Sequence, residues 1–215
     1  RVVAQRYRVD RPRRERHLRL EVDQHQHMVF RVEQFLARDG SRDWHGTSLV
    51  WLQRSDLIIV AARPGVGKTS FLLSVALNAA RAATAPIAIF TLEMGREQLV
   101  QRFYASETGI DSQRLRSGTL ESSEWGRFNE ATGRLDQLNI YIDDTPGISV
   151  LDMRNRCRRL YREHGLSLII VDYLQLMSAG VAMGRNENRV QEVSAISRGL
   201  KELARELNVP LLTAA

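Results

Sequence analysis

Asp56-Leu-Ile-Ile-Val-Ala-Ala-Arg-Pro-Gly-Val-Gly-Lys-Thr-Ser-Phe-Leu-Leu-Ser-Val-Ala-Leu77 decides the fold. The apolar run Leu57–Ala61 lies between a charged residue and Arg63-Pro64-Gly65. Its length and β-branched content predict a strand buried on both faces of a parallel sheet. After it come Ala62-x-x-x-x-Gly67-Lys68-Thr69 and then Phe71, Leu72, Val75 and Ala76 at helical spacing. Strand, glycine-bearing loop, Gly-Lys-Thr and helix together form a phosphate-binding P-loop. Ala62 stands where glycine is more usual, a position that tolerates a small residue. The blander alternative is a chance Gly-Lys-Thr in an ordinary loop, and the strand before and helix after weigh against it.

The chemistry needs these residue types. Gly65 and Gly67 allow backbone conformations that turn successive N–H groups toward one anion. A helix starting near Lys68 aims its positive dipole end at the same point. Lys68 would neutralise the β- and γ-phosphates and so belongs with catalysis as well as binding, while Thr69 would offer its hydroxyl to Mg²⁺. The candidate ATP-binding residues are Ala62, Arg63, Pro64, Gly65, Val66, Gly67, Lys68, Thr69 and Ser70.

Moving outward, Ile87–Phe90 predicts a second strand, followed by Thr91-Leu92-Glu93-Met94. A carboxylate just past a parallel strand beside a P-loop is placed to orient an attacking water. The alternative for Glu93 is a surface cap on the next helix, expected near Arg96 with Leu99, Val100 and Phe103 inward. Asp111–Leu135 reads as two helical pieces, with Ser122 or Ser123 as N-cap and Trp125 as a packing residue. Ile140–Ile142 predicts a third strand, and Asp143-Asp144 beside Pro146-Gly147 suits a turn better than a metal site. Ser149-x-x-Asp152 is a capping box opening an arginine-decorated helix to about His164, with Gly165 as its stop. Leu166–Asp172 is a fourth strand, apolar until its final acid. That is the Walker B arrangement, in which Asp172 holds Mg²⁺ through a bound water or through Thr69. Ser178–Arg189 reads as a mobile loop. Val190–Leu207 is a helix with Val193, Ile196, Leu200, Leu203 and Leu207 on one stripe, and a fifth strand follows through Thr213. Alternating strands and helices predict an α/β fold with a mainly parallel sheet flanked by helices.

The chain has 215 residues, a net charge of +6 and Cys157 as its lone cysteine. Such a length suits one domain with an appendage. The lone cysteine excludes a disulfide framework and a cysteine metal site. No apolar run reaches the ~18 residues of a membrane span, and no signal peptide is visible, so no membrane partner and a cytoplasmic location are expected. The basic balance permits nucleic-acid binding without establishing it.

Two parts are expected, 1–52 and 53–215. The first is rich in arginine and histidine. It reads as a solvated, poorly ordered tail, with one short amphipathic helix around Val29, Phe30, Val32, Phe35 and Leu36. An Arg-rich nucleic-acid arm is the alternative, and His25-x-His27 lacks the further ligands a metal site needs.

The segments Ala61–Thr69, Thr91–Met94, Ile170-Val171-Asp172-Tyr173-Leu174-Gln175-Leu176-Met177 and Ile196–Ala204, in this order and spacing, resemble the DnaB family of bacterial replicative helicases. The resemblance runs from about Leu52 onward. It implies a RecA-like P-loop ATPase domain of a ring-shaped homohexamer that moves 5′ to 3′ along single-stranded DNA. The implied cofactors are ATP and Mg²⁺, and the implied partners are primase and a helicase loader. It puts the family's catalytic glutamate on Glu93 and its Walker B aspartate on Asp172. The family's Pro-Thr-Gly-Phe-x-x-Leu-Asp segment before the first strand has no counterpart in Ser41–Trp51; with the abrupt change to Arg- and His-rich sequence, this suggests that residues 1 to about 51 are translated out of frame or spliced from elsewhere. The family's amino-terminal domain, sensor residue, arginine finger and main DNA-binding loops have no counterpart in this chain. It therefore reads as a piece truncated on its C-terminal side, able to bind nucleotide but not to unwind DNA by itself. The alternatives are a recombinase-type RecA-like ATPase and a nucleotide-binding fragment without activity.

Overall fold

A computed structural model describes residues 17–22, 28–33, 49–63, 65–177 and 189–215. The Arg-rich start, His25 and His27, Phe35 and Leu36, Pro64 and the loop expected at 178–188 lie outside the described residues. The chain divides into two compact units, Arg1–Arg54 and Ser55–Ala215.

In the first unit, strands β1 (His17–Val22), β2 (Met28–Glu33) and β3 (Leu49–Leu52) form an antiparallel sheet in that order. The pairings run from His17↔Glu33 to Val22↔Met28, and from Met28↔Leu52 to Arg31↔Leu49. Val29, Phe30 and Val32, expected on a helix, therefore lie in a strand. Short apolar runs do not separate the two periods, and here cross-strand pairing decides.

The second unit begins with β4 (Leu57–Val60), α1 (Lys68–Ala82), β5 (Ile87–Thr91) and α2 (Arg96–Thr108). Then come α3 (Ser112–Ser117), α4 (Ser122–Leu135), β6 (Ile140–Asp143) and α5 (Val150–His164). It closes with β7 (Leu168–Asp172), a short 3-10 turn over Leu174–Leu176, α6 (Arg189–Leu207) and β8 (Leu211–Ala214). All five strands run parallel in the order β4-β8-β7-β5-β6.

β5, β7 and β8 are buried throughout. Because side chains alternate across a strand, Ala88, Phe90, Ile169 and Val171 join one core with Met153 and Cys157 of α5 and Ile196, Leu200 and Leu203 of α6. The opposite face takes α1, whose Leu72, Val75 and Ala76 are fully buried. Each such leucine or valine contributes about 1.5–3 kcal/mol. β4 departs from its expected double burial, with Ile59 46% exposed. Among the described residues it pairs only with β8 and so forms an edge.

Local signals explain most helix ends. Ser149 accepts from Asp152 N at 3.0 Å and opens α5, and Gly165 ends it at φ 75°. The cap of α4 is Glu121 rather than Ser122 or Ser123. Glu121 and Glu124 accept each other's backbone N–H, which leaves the serines just inside the helix. Trp125 on that helix is 50% exposed and meets Phe128 edge-on, so it packs with one side only.

Candidate functional site

The loop between β4 and α1 carries two left-handed glycines, Gly65 at φ 76° and Gly67 at φ 100°. A Cβ at either would meet open space, so backbone conformation alone demands glycine there. Gly67 is the N-cap of α1 and supplies no side-chain bond. The first intrahelical bond runs from Phe71 N to Gly67 O at 3.0 Å, so the preceding N–H groups have no partner inside the helix. The Lys68 ammonium donates to Ala62 O at 2.7 Å, which folds it across the mouth of the loop. Arg63, Val66 and Ser70 are exposed, whereas Ala62, Lys68 and Thr69 are half-buried.

Strand register brings the two acids to the same end of the sheet. Thr91 is level with Asp172, and Leu92 N donates to Asp172 O at 2.8 Å. Asp172 lies one residue past the Val171↔Thr213 pair, level with Ala214 and Val60. It therefore sits two strand spacings, about 10 Å, from β4. Alternation turns Asp172 to the face of Leu168 and Ile170, where α1 begins. There its carboxylate accepts the Thr69 hydroxyl and feels the charges of Glu93, Arg102 and Lys68. Burial, with only 4% of the residue exposed, pushes the Asp172 carboxyl above the usual carboxylate range. The negative charge of Glu93 pushes the same way, while the Thr69 bond, Arg102 and Lys68 oppose it. Lys68, Thr69, Glu93 and Asp172 thus gather around one end of the sheet, above the exposed glycine loop.

The aspartate pair at the end of β6 divides between a turn and a helix cap. Asp143 accepts from Thr145 N at 3.1 Å and Thr145 Oγ1 at 2.7 Å and pairs with Arg156. Asp144 accepts from Arg96 N at 3.0 Å and so caps α2. Glu93 does not cap that helix. Sequence reasoning missed Arg102, Thr91 and the Asp144 cap. Arg102 is one arginine among many, and the cap spans a distance in sequence that no local pattern reports. No group of three or more potential metal-ligating His, Cys, Asp or Glu side chains occurs among the described residues. A hydroxyl beside one buried carboxylate still fits Mg²⁺, which takes one or two protein oxygens and completes its shell with water and phosphate.

Such a constellation can bind a polyphosphate and direct a water at it. Residues 47–215 match the family model described as the DnaB-like helicase C-terminal domain. The replicative DNA helicase DnaC of Bacillus subtilis (strain 168) is 54% identical over 161 residues, covering 74% of this chain and 35% of the relative. The replicative DNA helicase DnaB of Geobacillus stearothermophilus is 55% identical over the same length and shares. The chain thus spans about a third of the length of these relatives. A solved structure of a DnaB-like replicative helicase and its interactions with primase superposes with a TM-score of 0.70 at 32% identity, covering 76% of this chain and 39% of that one. The ATPase domain of G40P gives the same TM-score and identity, covering 75% of this chain and 57% of its own. The parallel five-stranded sheet with flanking helices is therefore RecA-like, and the chain belongs to the DnaB-like helicase C-terminal domain family.

Proposed function

We propose that this chain is the ATP-hydrolysing part of a replicative DNA helicase that couples hydrolysis to 5′–3′ movement on single-stranded DNA and to duplex unwinding. The observation that supports this best is the gathering of Lys68, Thr69, Glu93 and Asp172 at one end of the sheet. The similarity to replicative helicases favours it over a recombinase-type ATPase.

In this reading the exposed N–H groups of the loop from Ala62 to Ser70 and the Lys68 ammonium hold the β- and γ-phosphates. Glu93 orients a water and takes its proton as the water oxygen bonds to the γ-phosphorus. The bond from that phosphorus to the bridging oxygen breaks, and ADP and inorganic phosphate leave. Thr69 and Asp172 would hold Mg²⁺, which supplies charge neutralisation at the phosphates. The full protein acts as a homohexamer in the cytoplasm, with single-stranded DNA, primase and a loader as partners. Among the described residues no helix is long and apolar enough to cross a membrane.

The test uses the full-length protein. ATP turnover stimulated by single-stranded DNA and unwinding of a 5′-tailed fork are expected. Glu93→Gln should keep nucleotide and lose hydrolysis. Strand pairing without unwinding, or undiminished turnover in Glu93→Gln, refutes the reading.

A further inference from the structure

Glu93 is exposed, and none of the hydrogen bonds or ion pairs among the described residues engages its carboxylate. Its direction is therefore set by the backbone of the turn that carries it. That turn is tied down on both sides. On one side, Leu92 N donates to Asp172 O at 2.8 Å. The Thr91 hydroxyl, on a residue only 1% exposed, donates to Met94 O at 2.8 Å. On the other side, Asp144 accepts from Arg96 N at 3.0 Å and lies 3.6 Å from the Arg96 guanidinium. Glu93 thus sits inside the six residues Thr91–Arg96, fastened by two side chains from different strand ends. From this geometry we infer that Thr91 and Asp144 are positioning residues for Glu93, which hold the turn so that the carboxylate faces the loop mouth. The inference rests on the reading of Glu93 as the residue that directs the water.

Positioning matters because a displacement of about 1 Å of a catalytic group costs as much as a hundredfold in rate. Neither side chain belongs to the phosphate loop, so loss of either should act on turnover and spare binding. Asp144 acts through a backbone N–H at the start of α2, so the effect of removing it travels along the chain to Glu93. Thr91 acts through a carbonyl one residue past Glu93. Valine at position 91 keeps the shape and removes the hydroxyl, whereas serine keeps the hydroxyl.

The full-length protein carrying Thr91→Val, Thr91→Ser, Asp144→Ala or Glu93→Gln is assayed for kcat, KM for ATP and affinity for a fluorescent ATP analogue. Thr91→Val and Asp144→Ala should each lower kcat by roughly tenfold with KM and affinity unchanged. Thr91→Ser should restore kcat. In a Glu93→Gln background, single-turnover rates should not respond to Thr91→Val, since both act through one carboxylate. An unchanged kcat in Thr91→Val and Asp144→Ala, an equal drop in the Glu93→Gln background, or loss of affinity in step with kcat overturns the inference. Should Thr91→Val fail to fold, Asp144→Ala, at a partly exposed side chain, decides alone. If Glu93→Gln itself leaves turnover intact, the assignment of Glu93 fails and this inference falls with it. A normal Thr91→Val beside an inactive Glu93→Gln removes only the inference.

Discussion

Gly199 lies within α6 where that helix approaches the first residue of α5. A Cβ built there would stand 2.7 Å from Val150 Cγ1, 3.6 Å from its Cβ and 3.7 Å from its Cγ2. Carbon atoms settle at about 3.5–4.0 Å, so the nearest methyl must move or the helices must part. Val150 is β-branched and stiff at χ1, and it packs against the core that holds α5 to α6. Overpacking of this kind costs about 1–3 kcal/mol. Against it stands the gain of replacing glycine by alanine in a helix interior, about 1 kcal/mol. Gly199→Ala should therefore destabilise the protein by up to about 2 kcal/mol. In a Val150→Ala background the obstacle is gone and only the helix propensity remains. The same substitution should then stabilise by about 1 kcal/mol. Urea denaturation of the four proteins, parent, two single variants and the double variant, measures both numbers. A stabilising Gly199→Ala in the parent, or the same sign in both backgrounds, would refute the reasoning.

Three further outcomes follow from the geometry. Lys68→Ala should weaken nucleotide binding by roughly ten- to a hundredfold, the worth of a bond to a charged group, while stability shifts by about 1 kcal/mol or less; titration with a fluorescent nucleotide and a thermal melt read the two effects, and unaltered affinity would remove Lys68 from the site. Burial by itself would raise the Asp143 carboxyl, but the Thr145 bonds and Arg156 outweigh it and hold it below the usual carboxylate range. Its contribution is thus present above the unfolded value near pH ~3.9 and fades as pH falls through the lower folded value. Asp143→Asn should be less stable at neutral pH, with the gap narrowing in acid, and a constant gap in denaturation curves from neutral to acid pH contradicts this. Burial, with the charge of Asp143 adding, pushes the Cys157 thiol up to about 12, so a thiol reagent at mildly alkaline pH should label it only after unfolding; rapid labelling of the native protein would show the pocket to be open.

Local chemistry carried most of the second unit. The strand at Leu168–Asp172 ends on its acid, α1 starts at Lys68, and Ser149 and Gly165 bound α5, because each signal lies within a few residues of what it controls. The misread features depend on distant partners. Ile59 is exposed because β4 is an edge strand, a matter of sheet order rather than composition. Serine is a common N-cap, yet Glu121 takes that place in α4 because Glu124 three residues on can reciprocate. The acid that caps α2 lies just past β6, and Arg102 meets Asp172 only after α2 has packed. Val29, Phe30 and Val32 fitted either period until β1 and β3 flanked them.

β8 follows the other described strands in sequence, yet it lies between β4 and β7. The glycine loop and the buried aspartate reach their proper separation only once this late segment has slid between two earlier ones, bonded at Leu57↔Leu211 on one flank and Ile169↔Leu211 on the other. Pairings between segments so far apart in sequence are slow to close. A chain growing on the ribosome would expose a half-built phosphate cradle until residues near 214 leave the exit tunnel, and would gain its grip on nucleotide only then.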